Sequence, residues 1–259
     1  MQIEFNKYQA TGNDFVILDN RDRKYSDLNT EQVKKICDRR FGIGGDGLML
    51  LNEKEGYDFE MTYFNSDGKV ASMCGNGGRC IVRFAHRLGI IKHHARFMAV
   101  DGVHEGTLGN GDWVRLQMNK VKTIQQKDGN FILDTGSPHL VTYVNKADEI
   151  NVKDKGAEVR YSDPFKDNGI NVNFVELNGD GSIYVRTYER GVEDETLSCV
   201  TGVTASALVG AKINGPGKVD VQTPGGRLQV EFTRVSDQDF EDIWLCGPAT
   251  FVFKGEIDL

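Results

Sequence analysis

The sequence predicts an α+β protein of two pseudo-symmetric lobes, each a mainly antiparallel sheet curled around one central helix. Three observations carry that expectation. Alternating or β-branched runs separated by Gly, Asn and Asp turn signals fill most of the chain. Helical patterns are few, and two of them are apolar nearly all round, as buried helices are. Landmarks of the first half also recur in the second at a nearly fixed spacing, the mark of a duplicated unit.

Each half holds a strand, a polar elbow, a cysteine and a Gly-rich step into a helix. In the first half these are the strand 60–65, Ser66-Asp67-Gly68, Cys74-Gly75-Asn76-Gly77 and a helix over 79–88. In the second they are the strand 183–189, Arg190-Gly191, Cys199-Val200-Thr201-Gly202 and a helix over 204–213. The cysteines lie 125 positions apart (199 minus 74). Thr11-Gly12 and Thr135-Gly136 each precede a β-rich run at an offset of 124 (135 minus 11), and Asn65 and Glu189 close strands at the same offset. Asp101-Gly102 follows the first cysteine at nearly the distance at which Pro224-Gly225-Gly226 follows the second.

Taken in order, the first half reads as strands over 2–9, 15–19, 48–52, 59–65, 106–108 and 113–118. A helix over 30–39 is announced by Asn29, with Gln32 at capping-box spacing. The second half reads as strands over 139–144, 171–177, 182–189, 218–223, 227–233 and 242–246, with a weaker helix over 153–162. A final strand over 249–253 closes the chain. The lobes are expected at 1–118 plus 248–259, carrying Cys74, and at 119–247, carrying Cys199. The boundary falls near Met118–Val121, where a strand pattern gives way to a charged stretch, and the segment from Pro248 reads as a strand returning to the first lobe.

Composition narrows the function classes. With 259 residues, 39% hydrophobic, 27% charged and 5 prolines, the chain reads as folded and soluble. A net charge of −7 argues against nucleic acid, which needs a clustered basic surface. No apolar run reaches membrane-span length. The start, Met1-Gln2-Ile3-Glu4, has no signal-peptide character, so a cytoplasmic protein is expected. Five cysteines without framework spacing argue against structural disulfides, and Cys37, Cys80 and Cys246 read as buried apolar fillers. His86 and His93-His94 fit no zinc spacing and read as a solvated helix end, so no metal is expected. The Gly42–Gly47 stretch lacks both the Lys-Ser/Thr ending of a phosphate loop and the helix of a dinucleotide fingerprint.

Cys74 and Cys199 differ from the other three because each precedes a helix. Free N–H groups and the positive dipole end stabilise a thiolate there. That dipole supplies up to ~2 kcal/mol in buried geometries, which is little more than one pKa unit. A neighbour or the ligand's ammonium group must supply the rest. The same N–H groups, from Gly75, Asn76 and Gly77 and from Val200, Thr201 and Gly202, suit a carboxylate. A carboxylate held by both sets would put its α-carbon between the two sulfurs. One thiolate would then remove a proton from one face while the other thiol delivers one to the opposite face.

The residues that carry this pattern resemble the diaminopimelate epimerase family. The resemblance runs through Gly12-Asn13-Asp14-Phe15, Arg39-Arg40-Phe41-Gly42-Ile43-Gly44, Asn65-Ser66-Asp67-Gly68 and Cys74-Gly75-Asn76-Gly77-Gly78-Arg79-Cys80. It continues through Ser137-Pro138-His139, Asn171-Val172-Asn173-Phe174, Tyr188-Glu189-Arg190-Gly191, Glu195-Thr196, Thr223-Pro224-Gly225-Gly226 and Gly247-Pro248-Ala249, covering essentially the whole chain. It implies a cofactor-independent homodimeric epimerase of lysine and peptidoglycan precursor biosynthesis, interconverting LL- and meso-diaminopimelate. Cys74 and Cys199 would be the acid/bases, with His139 and Glu189 assisting. Asn13, Asn65, Asn171 and Arg190 would hold the substrate, and Gly75-Asn76 and Val200-Thr201 its reacting carboxylate. Four positions depart from the pattern: Val200, where glycine is usual, and Ser137, Gly47 and Lys69. The alternative within the fold is a proline, hydroxyproline or histidine racemase. A Cys–His hydrolase and a non-catalytic amino-acid binder are rivals from other classes, and neither needs a second thiol.

Overall fold

A two-residue turn of left-handed backbone opens the structure. Thr11 (φ 45°) and Gly12 (φ 91°) fold strand Gln2–Ala10 back on Asn13–Asp19, the geometry that suits the twist of a tight hairpin. The computed structural model describes residues 1–211 and 214–259. They divide into two compact units, Met1–Leu116 with Gly247–Leu259, and Gln117–Cys246.

In the first unit the chain passes from Asn13–Asp19 through helix α1 (Thr30–Cys37) to Gly47–Asn52, which lies parallel to it with Phe15 opposite Gly47. Gly47–Asn52 pairs antiparallel with Phe59–Asn65. Helix α2 (Gly75–Arg87) then leads to His94–Ala99, parallel to Phe59–Asn65. Antiparallel hairpins add Gly102–Leu108 and Trp113–Gln117, and Thr250–Asp258 returns alongside Gln2–Ala10.

The second unit repeats that course. Asn130–Asp134 pairs antiparallel with Pro138–Tyr143. Helix α3 (Val152–Arg160) leads to Asn171–Leu177, parallel to Pro138–Tyr143 with His139 opposite Asn171. Ile183–Glu189 follows antiparallel, and helix α4 (Val200–Gly210) leads to Gly215–Thr223, parallel to Ile183–Glu189. Antiparallel pairing continues through Gly226–Arg234 to Phe240–Pro248. Gly102 (φ 124°) and Gly226 (φ 137°) occupy the same hairpin bend in the two units, which accounts for the late landmark in each half.

Two features depart from the sequence expectation. Each unit has two parallel strand pairs joined by helical crossovers, a larger share than short turns alone suggest. Strands His94–Ala99, Ile124–Lys127 and Asn130–Asp134, with the short Val70–Ala71 and Asp194–Thr196, also went unanticipated. His94–Ala99 does alternate, with Ala95, Phe97 and Ala99 buried, but His94 and Arg96 on its other face hide the apolar content. His94 therefore opens a strand, while His86 lies in the last turn of α2.

The helix ends also shift. Asn29 and Gln32 form the expected reciprocal cap on α1, each backbone N–H donating at 3.0 Å to the other's side chain. That helix stops at Cys37 because Asp38 turns extended. Helices α2 and α4 start four residues earlier than the pattern suggests. Glycine disfavours a helix by about 1 kcal/mol, so Gly75, Gly77 and Gly78 read as a loop. Packing overrides that preference, since a Cβ at Gly78 would lie 2.7 Å from the Met73 sulfur. The α4 helix ends at Gly210, and the expected continuation at Lys212 and Ile213 lies outside the described residues.

Helix α2 is buried from Asn76 to Ala85 except at the half-buried Arg83, and Ile81, Val82 and Phe84 share one core with Phe15, Met49 and Phe97. It is not apolar all round, for it carries the fully buried Arg79. Helix α4 is buried from Gly202 to Leu208. Its hydroxyls bond back along it, Thr204 to the Val200 carbonyl at 3.0 Å and Ser206 to the Gly202 carbonyl at 2.7 Å.

Candidate active site

Each lobe carries its cysteine as the N-cap residue of its buried helix. Cys74 (φ −79°, ψ 128°) stands half-buried before α2, and Cys199 (φ −90°, ψ 108°) stands buried before α4. Their carbonyls accept the first helical bonds, from Gly78 at 2.7 Å and from Val203 at 2.8 Å. The N–H groups of Gly75, Asn76 and Gly77, and those of Val200, Thr201 and Gly202, belong to first turns, where an α-helix has no internal acceptors to offer. Each lobe thus sets a sulfur beside donors suited to a carboxylate.

In the first lobe a polar chain runs outward from that turn. Asn76 Nδ2 donates to Asn13 Oδ1 at 2.5 Å, and Asn13 Nδ2 donates to Asp46 Oδ2 at 3.0 Å. Buried Arg79 donates to Asn76 Oδ1 at 2.8 Å and to Thr11 Oγ1 at 3.3 Å. Thr11 Oγ1 also donates to Asn76 Oδ1 at 3.2 Å. Arg39 bridges Asp14 and Asp46 at 2.6 and 2.7 Å, and Lys7 reaches Asp14 at 2.7 Å. Burial works to raise the Asp14 carboxyl, but Arg39 and Lys7 outweigh it and hold it at about 2. Asn65, an exposed strand end, accepts on its carbonyl from Gly68 at 2.9 Å.

The second lobe places His139 fully buried, with Nε2 2.8 Å from Thr201 Oγ1 and Nδ1 3.1 Å from Asn173 Nδ2. Burial holds the imidazole down at about 3, so it is neutral at physiological pH. Thr201 Oγ1 lies 3.6 Å from Cys199 Sγ. Thr135 Oγ1 donates to the Thr201 carbonyl at 2.9 Å. The threonine of the recurring Thr-Gly pair therefore binds the residue two after the cysteine in both lobes. Asn171 is buried and its amide serves its own lobe: it donates to Ser137 Oγ at 2.7 Å and to the Pro138 carbonyl at 3.0 Å, and accepts from the Arg190 N–H at 2.8 Å. Arg190 is exposed and donates to the Asn168 carbonyl at 2.9 Å. Glu189, half-buried, accepts from Thr196 Oγ1 at 2.9 Å.

The departures from the family pattern are accommodated. Val200 does not have the positive φ that would strain a β-branched residue, and from the first turn of α4 it packs into the core of its own lobe. Ser137 supplies the oxygen that Asn171 holds. A side chain at Gly47 would collide with the Tyr63 ring, so tyrosine fills that space. Lys69 is exposed, 3.8 Å from Asp67. Sequence reasoning missed Asn173, Arg79, Asp46 and the landmark threonines as parts of the site. The exact recurrence of Thr-Gly was the available signal for the threonines.

Stability is expected to fall with acid in two stages. An unfolded histidine takes its proton near 6.5, whereas His139 resists until about 3, so its contribution is whole above pH 6.5 and is lost as pH falls toward 3. Asp14 adds a smaller loss, about 1–2 kcal/mol after allowing for the exposed Arg39, as pH falls from 3.8 toward 2. Urea denaturation at pH 7, 5.5 and 4.5 checks the first stage, and a flat stability across that range would contradict it.

Comparison with known proteins follows the same halves. The family model described as diaminopimelate epimerase matches residues 5–124 and 131–252. A diaminopimelate epimerase of Flavobacterium psychrophilum is 46% identical over 254 residues, covering 97% of this chain and 98% of its own. One from Chlorobaculum tepidum is 42% identical, covering 96% of this chain and 99% of its own. Among solved structures, a Bacillus anthracis phenazine biosynthesis protein of the PhzF family superimposes with a TM-score of 0.75 at 16% identity, covering 100% of both chains. A hydroxyproline epimerase from Agrobacterium vitis, with bound trans-4-hydroxy-L-proline, gives 0.68 at 13% identity, covering 100% of this chain and 93% of its own. These two structures share the fold.

Proposed function

This chain belongs to the diaminopimelate epimerase family, and we propose that it interconverts LL- and meso-2,6-diaminopimelate with two cysteines and no cofactor. One observation carries the reading: each lobe independently builds a cysteine at the N-cap of a buried helix, with first-turn N–H donors beside it. One sulfur, as thiolate, takes the α-proton. The other, as thiol, returns a proton to the opposite face, and the carbon inverts. The first-turn donors at Gly75 and Asn76 and at Val200 and Thr201 hold the reacting carboxylate, and they stabilise the charge that moves onto it as the proton leaves. Without those donors a thiolate is too weak a base for an α-proton. Glu189 and His139 assist beside the reacting centre. Asn13, Asn65, Asn171 and Arg190 form the substrate end, and the side chain of Asn171 acts there by fixing Ser137 and Arg190.

The product serves lysine and peptidoglycan precursor biosynthesis, and a cytoplasmic homodimer goes with this reading; sedimentation of the purified chain checks the dimer. Among the described residues no helix is long and apolar enough to cross a membrane. Identity of 46% to a named diaminopimelate epimerase against 13% to the hydroxyproline epimerase favours diaminopimelate over the racemase alternative. The purified protein, without added pyridoxal phosphate, is expected to epimerise LL-diaminopimelate and to leave proline, hydroxyproline and histidine unchanged. Turnover of one of those three with none on diaminopimelate would reverse the assignment.

A further inference from the structure

The duplicated lobes differ at the positions behind their helices. At one offset of 124, the buried Phe15, Met49 and Tyr63 of the first lobe correspond to His139, Asn173 and Thr187 of the second. The parallel registers agree, Phe15 opposite Gly47 and His139 opposite Asn171. A core position filled by an apolar group in one copy is filled by a fully buried imidazole or amide in the other. Burying such groups is costly unless each is hydrogen-bonded. Here they are bonded to one another in a chain that ends at Cys199.

The direction of that chain follows from its partners. The Leu140 carbonyl can only accept, so the Asn173 atom 2.9 Å from it is Nδ2. Asn173 Oδ1 takes the Thr187 hydroxyl at 2.9 Å. The remaining Nδ2 hydrogen points at His139 Nδ1, 3.1 Å away, which must therefore carry no proton. A neutral imidazole then has its hydrogen on Nε2 and donates it to Thr201 Oγ1. Thr201, accepting there, has its own hydrogen left for Cys199 Sγ at 3.6 Å. We propose that Thr201, held by His139 and Asn173 behind it, is a positioning residue whose hydroxyl donates to the Cys199 sulfur and makes that sulfur a proton acceptor in the resting protein.

The matching residue of the first lobe is not a threonine. Two residues after Cys74 stands Asn76, whose amide is turned toward Asn13, Thr11 and Arg79. Arg190 stands near enough to the relay that its charge further disfavours a proton on His139. Gly202 is required for the contact, because a Cβ there would run into Asn173 Oδ1 and stand 3.3 Å from the His139 ring.

The inference rests on Cys199 acting as an acid/base, but its test needs no diaminopimelate and so fails or succeeds apart from that reading. Histidine-selective 15N NMR of the unmodified protein is expected to show His139 protonated on Nε2, and a proton on Nδ1 would overturn the proposal. In protein with 13Cβ-labelled cysteine, Thr201→Val should move the Cys199 resonance at neutral pH from the thiolate toward the thiol position, a fall of about tenfold in the thiolate-to-thiol ratio. Thr201→Ser, which keeps the hydroxyl, should leave the resonance in place, and so should Cys74 in either variant. A Cys199 signal that ignores the valine substitution would equally overturn it.

Discussion

Replacing Cys74 with alanine is expected to abolish epimerisation, and replacing Cys199 should do the same, each with a loss of at least about a thousandfold in kcat. In a two-base inversion neither sulfur substitutes for the other, since each serves one face of the carbon. Truncation also spares the fold. Cys74 makes no side-chain cap bond to α2 and Cys199 makes none to α4, so the helices keep their starts. Steady-state turnover on LL-diaminopimelate, beside a denaturation curve, separates the two effects. Near-normal turnover in either variant would favour a single-base or hydrolytic mechanism. Thiol blockade of the whole enzyme gives weaker information, because five cysteines are present.

Gly202→Ala should have the second largest effect. In an ordinary helix that change gains up to about 1 kcal/mol of propensity. Here the new methyl collides with Asn173, which positions His139, so overpacking of about 1–3 kcal/mol opposes the gain. Displacement of the imidazole and of the first helical turn should lower kcat by about a hundredfold. Gly210→Ala, in the same helix, is the control, since among the described residues its Cβ would meet only Tyr143 Oη at 3.7 Å. Turnover and urea midpoints of both variants decide the matter. Equal behaviour of the two would show that the close approach at Gly202 carries no function.

The contrast between those glycines shows how far the sequence could be read. The Cys-x-x-Gly steps at 74 and 199 and their recurrence at half the chain length were visible, and so was the resemblance they carried. What the sequence left open was what the glycines meet. Helix propensity places the starts of α2 and α4 four residues late, because what leaves no room for a side chain at Gly78 and Gly202 is the approach of Met73 and Asn173, which only the fold reveals. Asn173 carries no role in the motif Asn171-Val172-Asn173-Phe174 by itself, since its meaning depends on a parallel register that joins residues 141 and 173. Strand Ile124–Lys127 buries one residue in four and offers almost no alternation to detect. Ionic residues behaved likewise: Arg39 read as part of a motif, and only the fold brings it onto Asp14 and Asp46.

Early-turnover exchange in heavy water tests the core of the account. LL-diaminopimelate converted to a few per cent in deuterated buffer should yield meso product carrying deuterium at the inverted carbon, while recovered LL substrate keeps its protium. The removed proton then resides on one sulfur and the delivered one comes from the other, already equilibrated with solvent. Product that retains the substrate's own protium would mean a single base acting on both faces, and would contradict the assignment of Cys74 and Cys199 as opposed acid and base.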